Sequence, residues 1–564
     1  MAIVFPLGND RFSEIRNNGN YYIDKTAFIR ELLSRQFKAN LITRPRRFGK
    51  TLTMSMLEDF FDIERDSKKH FEDLAISGDS EICKEWMNQW PVLFLTLKSV
   101  EGINFDSAFG MFTVLISGLC KKYSFLEHSK SIDEDDRKIF KELKSQTASN
   151  EDLKDSLYTL TRMMNAHYGK PVILLIDEYD VPLAKASEGE YYAQMLDIIR
   201  SLLGKVLKTN EFLKFAVVTG CLRIAKESIF TGTNNFVSDT ITGDRFNEYI
   251  GFTENDVKKI LADTGFTEHA DEIKTWYNGY RFGSVEVYCP WDVLNHVAAL
   301  QINPYIEPKG YWENTSHNGI IRRFIDREDL WEEEHINDDF ETLLDGGFII
   351  KKITENLTYD MLHSSANNLW SLLFLTGYLT QVSPGELHEE NIIQETGRVA
   401  LRIPNEEIKR LFRSTVSEWF KAKVKSTDRS DLFEALWNGK EQECARLLSQ
   451  MVFETISFHD YKEDFYHAFV AGILSFEGYK VISREQGDGR SDILLLDERE
   501  ARAIVIEVKH SRTLKGQAEK CGETLRQIRT KRYAEGLEEE YDKIQLYGIS
   551  FFMKRCEVKT EKYK

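Results

Sequence analysis

Two sets of residues in this chain have the types and spacing that phosphate chemistry needs. The first is Arg44-Pro45-Arg46-Arg47-Phe48-Gly49-Lys50-Thr51, which follows the apolar stretch Ala39–Thr43. Gly49 lets backbone N–H groups close around a phosphate, Lys50 brings a cation to the β- and γ-phosphates of a nucleotide, and Thr51 offers a hydroxyl to Mg2+. The second is Asp492, followed fifteen residues later by Glu507-Val508-Lys509. Residues two apart on a strand share a face, so Glu507 and Lys509 point the same way, and Asp492 on a neighbouring strand can reach them. Two such carboxylates hold Mg2+ or Mn2+ through oxygen, while Lys509 positions or deprotonates a water and neutralises developing charge. Glu463, from the helix before these strands, is a candidate further ligand.

A full phosphate-loop pattern has a glycine five positions before Gly49, where this chain has Arg44. A lone Gly-Lys-Thr carries little weight, and the support lies downstream. Val172-Ile173-Leu174-Leu175-Ile176 is a continuous apolar run ending in Asp177 and Glu178. In an open parallel sheet that strand end faces the ligand crevice. There Asp177 would hold Mg2+ through water and Glu178 would polarise the attacking water. The alternative is a buried strand followed by acidic helix-capping residues. Phe215–Thr219 ends in a hydroxyl placed to sense the γ-phosphate, or is simply a strand end. Arg223 follows within reach, as a phosphate-contacting or trans-acting arginine or as a surface residue. Arg46 and Arg47 complete the candidate nucleotide contacts.

The elements that must position these groups follow from patterning. Between residues 35 and 245, short apolar runs (Ala39–Thr43, Val92–Leu97, Val172–Ile176, Phe215–Thr219, Asp239–Thr242) alternate with long amphipathic stretches, the pattern of a parallel sheet covered by helices. Residues 250–300 read as helices, with Thr253 as an N-cap and Asp256 three positions on. Trp276, Tyr277, Tyr280 and Phe282 crowd around Asn278-Gly279 as a lid, a base-stacking surface or a small aromatic core. Arg281 is a candidate second sensor. Residues 300–460 read as mainly helical, with a two-stranded ribbon near Ile392–Ile403 and an apolar helix at Leu369–Leu379. In the last hundred residues a helix beginning at Glu463 precedes the strand Tyr479–Ser483, a turn at Gly487–Ser491, and a hairpin of Asp492–Leu496 with Ala503–Lys509.

Bulk properties bound the reading. At 564 residues the chain exceeds one core and reads as four segments: 1–248, 249–300, 301–455 and 456–564. The seven cysteines are scattered and never spaced C-x-x-C, which argues for reduced thiols in a cytoplasm and against a zinc site. No apolar run has the length of a membrane span, and the start does not read as a secretory leader. The net charge of −17 repels nucleic acid overall, so any such contact needs a local basic patch. Arg44–Arg47 is one source. Lys509, Arg512, Lys515, Lys520, Arg526, Arg529, Lys531 and Arg532 are another, unless they form an ordinary solvated face.

Tyr21-Tyr22-Ile23-Asp24-Lys25-Thr26, Arg44–Thr51 and Ile176-Asp177-Glu178-Tyr179-Asp180 together resemble the bacterial AAA-ATPase-like family. So do Gly251-Phe252-Thr253, Trp276–Tyr280 and Leu373–Tyr378. That family carries an arginine at the position of Arg44, and its usual C-terminal partner is a PD-(D/E)XK nuclease-like domain. The resemblance implies a P-loop ATPase core of α/β class with strand order 5-1-4-3-2, a helical middle region and a C-terminal α/β nuclease-like domain with an α-β-β-β-α-β core. Its usual proline is absent here, with Ser491 before Asp492, while Gln527 and Tyr533 match the helix that follows. The expected cofactors are ATP and Mg2+ or Mn2+. The expected partners are nucleic acid, DNA before RNA, and further copies of the chain. The leading expectation is an ATPase coupled to a nucleic-acid-cleaving domain, in genome defence or mobile-element control. The alternatives are a nucleotide-switched binding protein that does not cleave, and a nuclease on an inactive nucleotide site.

Overall fold

The computed structural model describes residues 3–35, 37–224, 236–312, 336–357, 366–389, 397–415, 429–455, 463–475, 479–485, 491–511, 513–531, 534, 536–552 and 555–564. The chain divides into two compact units, 1–316 with 346–411, and 317–345 with 412–564. Residues 301–455 are therefore shared between them.

The first unit is built on a parallel sheet of β1 (Ala39–Thr43), β2 (Val92–Thr96), β3 (Val172–Asp177), β4 (Leu213–Gly220) and β5 (Phe236–Asp239) in the order β2-β3-β4-β1-β5. Read from the other edge, this is the expected order 5-1-4-3-2. Strands β1 and β3 are buried at every position, as a sheet covered on both faces requires. The fifth strand ends at Asp239 rather than spanning 239–242, because Thr240–Thr242 turn away and carry hydroxyl contacts instead of ladder bonds.

Residues 250–300 hold a hairpin that periodicity missed, β6 (Tyr280–Phe282) with β7 (Val285–Val287). Its strands are three residues long, too short for a period of two to stand out among helices. Thr253 caps the helix Glu254–Thr264 in a capping box with Asp256, as its spacing suggests. Further on, β8 (Ile349–Lys352), β9 (Thr380–Gln381) and β10 (Arg398–Arg402) form an antiparallel sheet in the order β8-β10-β9. The strand near 398–402 thus pairs with β8 and β9, both of which lie before residue 392. Residues 392–396 lie outside the description. The apolar helix runs from Ala366 to Leu375 and stops at Gly377, whose φ of +90° suits only glycine well.

The second unit carries a sheet of β11 (Lys480–Glu485), β12 (Ser491–Asp497), β13 (Arg502–His510), β14 (Lys543–Phe552) and β15 (Arg555–Lys562) in sequence order. The pair β13–β14 is parallel and joined through the helix Gln517–Thr530, while the others are antiparallel. With the helix Glu463–Leu474 in front, this is the expected α-β-β-β-α-β core plus one added edge strand, β15. Its core combines Phe469, Ile473, Ile493, Ile504, Ile506, Ile549 and Phe551.

Candidate nucleotide and nuclease sites

At the end of β1 the chain turns through Arg47 (φ +70°) and Gly49 (φ +89°) into the helix Lys50–Phe61. Lys50 is buried, and its ammonium donates to the carbonyls of Arg44 at 3.0 Å and Pro45 at 2.9 Å, with Cys221 Sγ at 3.8 Å. The loop thus wraps its own lysine.

Asp177 ends β3 between two hydroxyls: Thr51 Oγ1 donates to one oxygen at 2.8 Å and Thr219 Oγ1 to the other at 2.5 Å. Burial pushes its carboxyl above the usual range, opposed by those two hydrogen bonds and by Lys50. The structure therefore brings Lys50, Thr51, Asp177 and Thr219 into one cluster. Glu178, half-buried, follows with φ +53°, a conformation costing a non-glycine residue about 1 kcal/mol or more. The next two residues clamp the end of β4. Tyr179 donates through its hydroxyl to Leu222 O at 2.8 Å and accepts from Ile224 N, while Asp180 accepts from the Cys221 and Leu222 amides at 3.0 and 2.9 Å. A Cβ on Gly220 would lie 2.6 Å from Asp180 and 2.7 Å from the Tyr179 ring, so the clamp needs glycine there.

The three arginines of the loop differ. Arg44 is fully buried, donates to Thr43 O, Asp239 O and Arg245 O, and lies over the Phe282 ring. It ties the ends of β1 and β5 together, so it is not part of an exposed basic patch. Arg47 donates to Tyr311 O and sits 5.4 Å from the Trp291 ring centroid. Burial raises the Cys221 thiol and the Tyr378 hydroxyl, and the charge of nearby Arg46 opposes both shifts. Arg223 is half-buried and its Nε has no hydrogen-bond partner among the described residues.

The aromatic cluster packs on the loop. Phe48 meets Tyr280 at 5.0 Å and Phe282 at 5.1 Å, Gly251 leaves 3.2 Å between a would-be Cβ and the Phe48 ring, and Gly377 leaves 2.8 Å to Pro45. The short phrases around Gly251, Gly279 and Gly377 are thus where the rest of the first unit grips the loop. Arg281 donates to Ser284 O within its own hairpin.

In the second unit, Glu507 and Lys509 are both buried, with Nζ and Oε1 3.3 Å apart. Gln527 Nε2 donates to the same oxygen at 2.7 Å. The helix carrying Gln527 can come this close because Gly548, paired in register with Glu507, has no side chain: a Cβ there would lie 2.5 Å from Cys521 O. Glu507 Oε2 is buried with no hydrogen-bond partner among the described residues. An unmatched buried carboxylate oxygen is unfavourable unless a cation or water meets it, so the site fits a divalent metal. The β12–β13 register, continued one step beyond Ile493–Ile506, sets Asp492 opposite Glu507. Glu463 begins its helix. The side chains of Glu463 and Asp492 lie outside the description, as do residues 487–490, Arg512, Arg532 and Tyr533. Among the described residues no group of three or more His, Cys, Asp or Glu side chains gathers as a metal site. Lys509 is buried rather than on a solvated basic face. Lys515, Arg526, Arg529 and Lys531 are exposed, while Lys520 is half-buried, and Lys520 and Arg529 pair with Glu523 and Glu561.

A strand, a wrapped lysine and a Thr-Asp-Thr cluster in the first unit, and a Glu-x-Lys strand with its glutamine in the second, define a two-part architecture. Residues 6–230 match the family model of a predicted AAA-ATPase, and residues 461–561 match the PD-(D/E)XK nuclease superfamily. The chain thus joins an AAA-ATPase-like region to a PD-(D/E)XK nuclease-superfamily region. It is also similar to a protein of Azotobacter chroococcum mcd 1 described as an uncharacterized protein in the vnfD 5'region, with 27% identity over 302 residues. That match covers 53% of this chain and 53% of the relative. Among the described residues no helix is long and apolar enough to cross a membrane.

Proposed function

We propose that this protein binds and hydrolyses ATP in its first unit and uses that cycle to govern metal-dependent cleavage of nucleic acid, DNA before RNA, in its second. On this reading Lys50 exchanges the Arg44 and Pro45 carbonyls for phosphate oxygens, and Thr51 and Asp177 hold Mg2+. Glu178, strained at the strand end, orients the attacking water and accepts its proton. Thr219 reads the γ-phosphate through Asp177, and Arg46 and Arg223 supply further cationic contacts.

The observation that carries the nuclease half is the buried, unmatched Glu507 Oε2 beside Lys509. Glu507, Asp492 and Glu463 would hold Mg2+ or Mn2+, which supplies charge stabilisation at the phosphate and acidifies a water when bound. Lys509 orients that water and offsets charge developing on the phosphate. Gln527 keeps Glu507 Oε1 occupied and so leaves Oε2 to the cation. The exposed lysines and arginines along 515–531 provide the local positive surface that a chain of net charge −17 needs. Defence or mobile-element control is the setting such a gated cutter suits.

The test is cleavage of linear, circular and single-stranded DNA and of RNA, with Mg2+ or Mn2+, with and without ATP. Wild type should cut, and Lys509→Ala and Asp492→Ala should not, while both variants retain ATP turnover. Cutting by both variants would refute the site. Absence of cutting by wild type, with nucleotide-dependent changes in nucleic-acid binding, would establish the nucleotide-switched binding protein instead. The wrapping of Lys50 by its own loop favours that second reading over an inactive nucleotide site, since it leaves an intact switch.

A further inference from the structure

Asp292 and Glu407 are fully buried carboxyls in the first turns of two helices, Pro290–Ile302 and the helix over 406–415. Neither belongs to the sites above. Glu407 Oε1 accepts the backbone N–H groups of Tyr311 and, at 2.9 Å, Trp312, and Asp292 Oδ2 accepts from Trp312 Nε1 at 3.1 Å. The peptide between Tyr311 and Trp312 therefore has its N–H on Glu407, while its C=O accepts from the Arg47 guanidinium of the phosphate-binding loop. Cys289, next to the same helix start, donates its thiol to Arg47 O at 3.7 Å. Both ends of this network lie just before points where the chain passes between its two units, after residue 316 and after residue 411.

We propose that Asp292 and Glu407 are positioning residues for the nucleotide site. Through the Tyr311–Trp312 peptide they hold Arg47, and with it the phosphate-binding loop, in the geometry that nucleotide binding needs, and they couple that loop to both segments leading to the nuclease-like unit. The inference rests on the ATP-binding reading above.

Two buried carboxyls in contact cannot both ionise cheaply, so the pair holds one proton. Burial raises both, Glu407 the further, to about 9. The other titratable groups facing the pair are Cys289, Tyr277, Tyr280 and Tyr311, all driven towards their neutral forms by burial, together with Arg47, whose charge favours an ionised Asp292. A neutral Glu407 can donate to Asp292 and still accept the two backbone amides. Glutamine can accept both amides on its oxygen and donate to Asp292 from its NH2, whereas alanine strands the Tyr311 and Trp312 amides and Asp292.

The test is Mg-ATP binding by the full-length chain, as wild type, Lys50→Ala, Glu407→Gln and Glu407→Ala, with hydrogen exchange followed over 305–312 and 406–411. Wild type and Glu407→Gln should bind within about twofold of each other, and Glu407→Ala should bind about tenfold more weakly. ATP should slow exchange in both segments in wild type and Glu407→Gln, but not in Lys50→Ala. Wild-type affinity should fall as the pH passes about 9 and Glu407→Gln should not follow it. Should Glu407→Ala fail to fold, Trp312→Phe, which removes the bond to Asp292 and keeps both backbone amides on Glu407, should still blunt the exchange response. Equal binding and equal exchange responses in wild type and in every folded variant at positions 312 and 407 would overturn the inference and leave the ATP reading standing. A wild type that does not bind ATP would overturn both.

Discussion

The two candidate sites differ in how fully their own residues satisfy them. In the nucleotide site Lys50 rests on two carbonyls, both oxygens of Asp177 accept from threonine hydroxyls, and one oxygen of Asp180 holds two amides. In the nuclease-like site Glu507 has one oxygen held by Gln527 and Lys509 and the other unmatched in the interior. A self-satisfied site can wait empty, and its ligand must offer better partners than the loop's own carbonyls. A half-satisfied one leaves a buried oxygen for a cation to meet. The first arrangement suits a switch, the second a metal-loaded centre.

The largest expected effect would break the second half of that comparison. Lys509→Ala should lower cleavage by about a thousandfold or more, since it removes both the water-positioning group and the cation beside the phosphate. Initial rates under Mg2+ and Mn2+ measure it. Next, Lys50→Ala should weaken ATP binding by about a hundredfold, because a charge-assisted contact is lost and its carbonyl partners are left in the interior. Titration calorimetry reads it, and an unchanged affinity would mean that Lys50 serves only its own loop. Gln527→Ala sharpens the contrast, since it removes one of the two partners of Oε1 without touching the unmatched oxygen. Metal affinity should fall about ten- to a hundredfold, as for other residues that orient a ligand, with cleavage restored at higher metal concentration.

Two smaller effects concern the frame. Gly279→Ala would place a methyl 2.0 Å from Pro404 O at φ +88°. It should cost about 3 kcal/mol of stability in denaturant melts, with the second unit unaffected. The other is linkage at Glu407. Because its folded carboxyl sits at about 9 against an ordinary 4.5, the unfolded chain releases that proton first. Stability should therefore fall as the pH rises through this window, and Glu407→Gln should flatten the slope.

Some of this architecture was legible before any fold was known. Buried parallel strands leave unbroken apolar runs, so β1 to β4 were found within a few residues, and Asp177 stood out because a carboxylate ends such a run. Spacing of two on a strand put Glu507 beside Lys509 for the same geometric reason. The hairpin Tyr280–Val287 was hidden because its strands are three residues long, and of the sheet β8-β10-β9 only the strand at 398–402 showed, since β9 is two residues long and β8 lies far back in the chain.

The sequence by itself determined four of the five strands of the first sheet, that Asp177 ends one of them, and that Glu507 and Lys509 share a face of a strand in the last hundred residues. These follow from local periodicity and from residue types that only certain chemistry needs. Only the tertiary structure decided that Arg44 is an internal brace while Arg47 reaches Tyr311. It alone placed Gln527 on Glu507, and it alone joined Asp292 and Glu407 across more than a hundred residues of chain. Such contacts depend on where separate elements pack, and hydrogen bonds between them leave no period in the sequence.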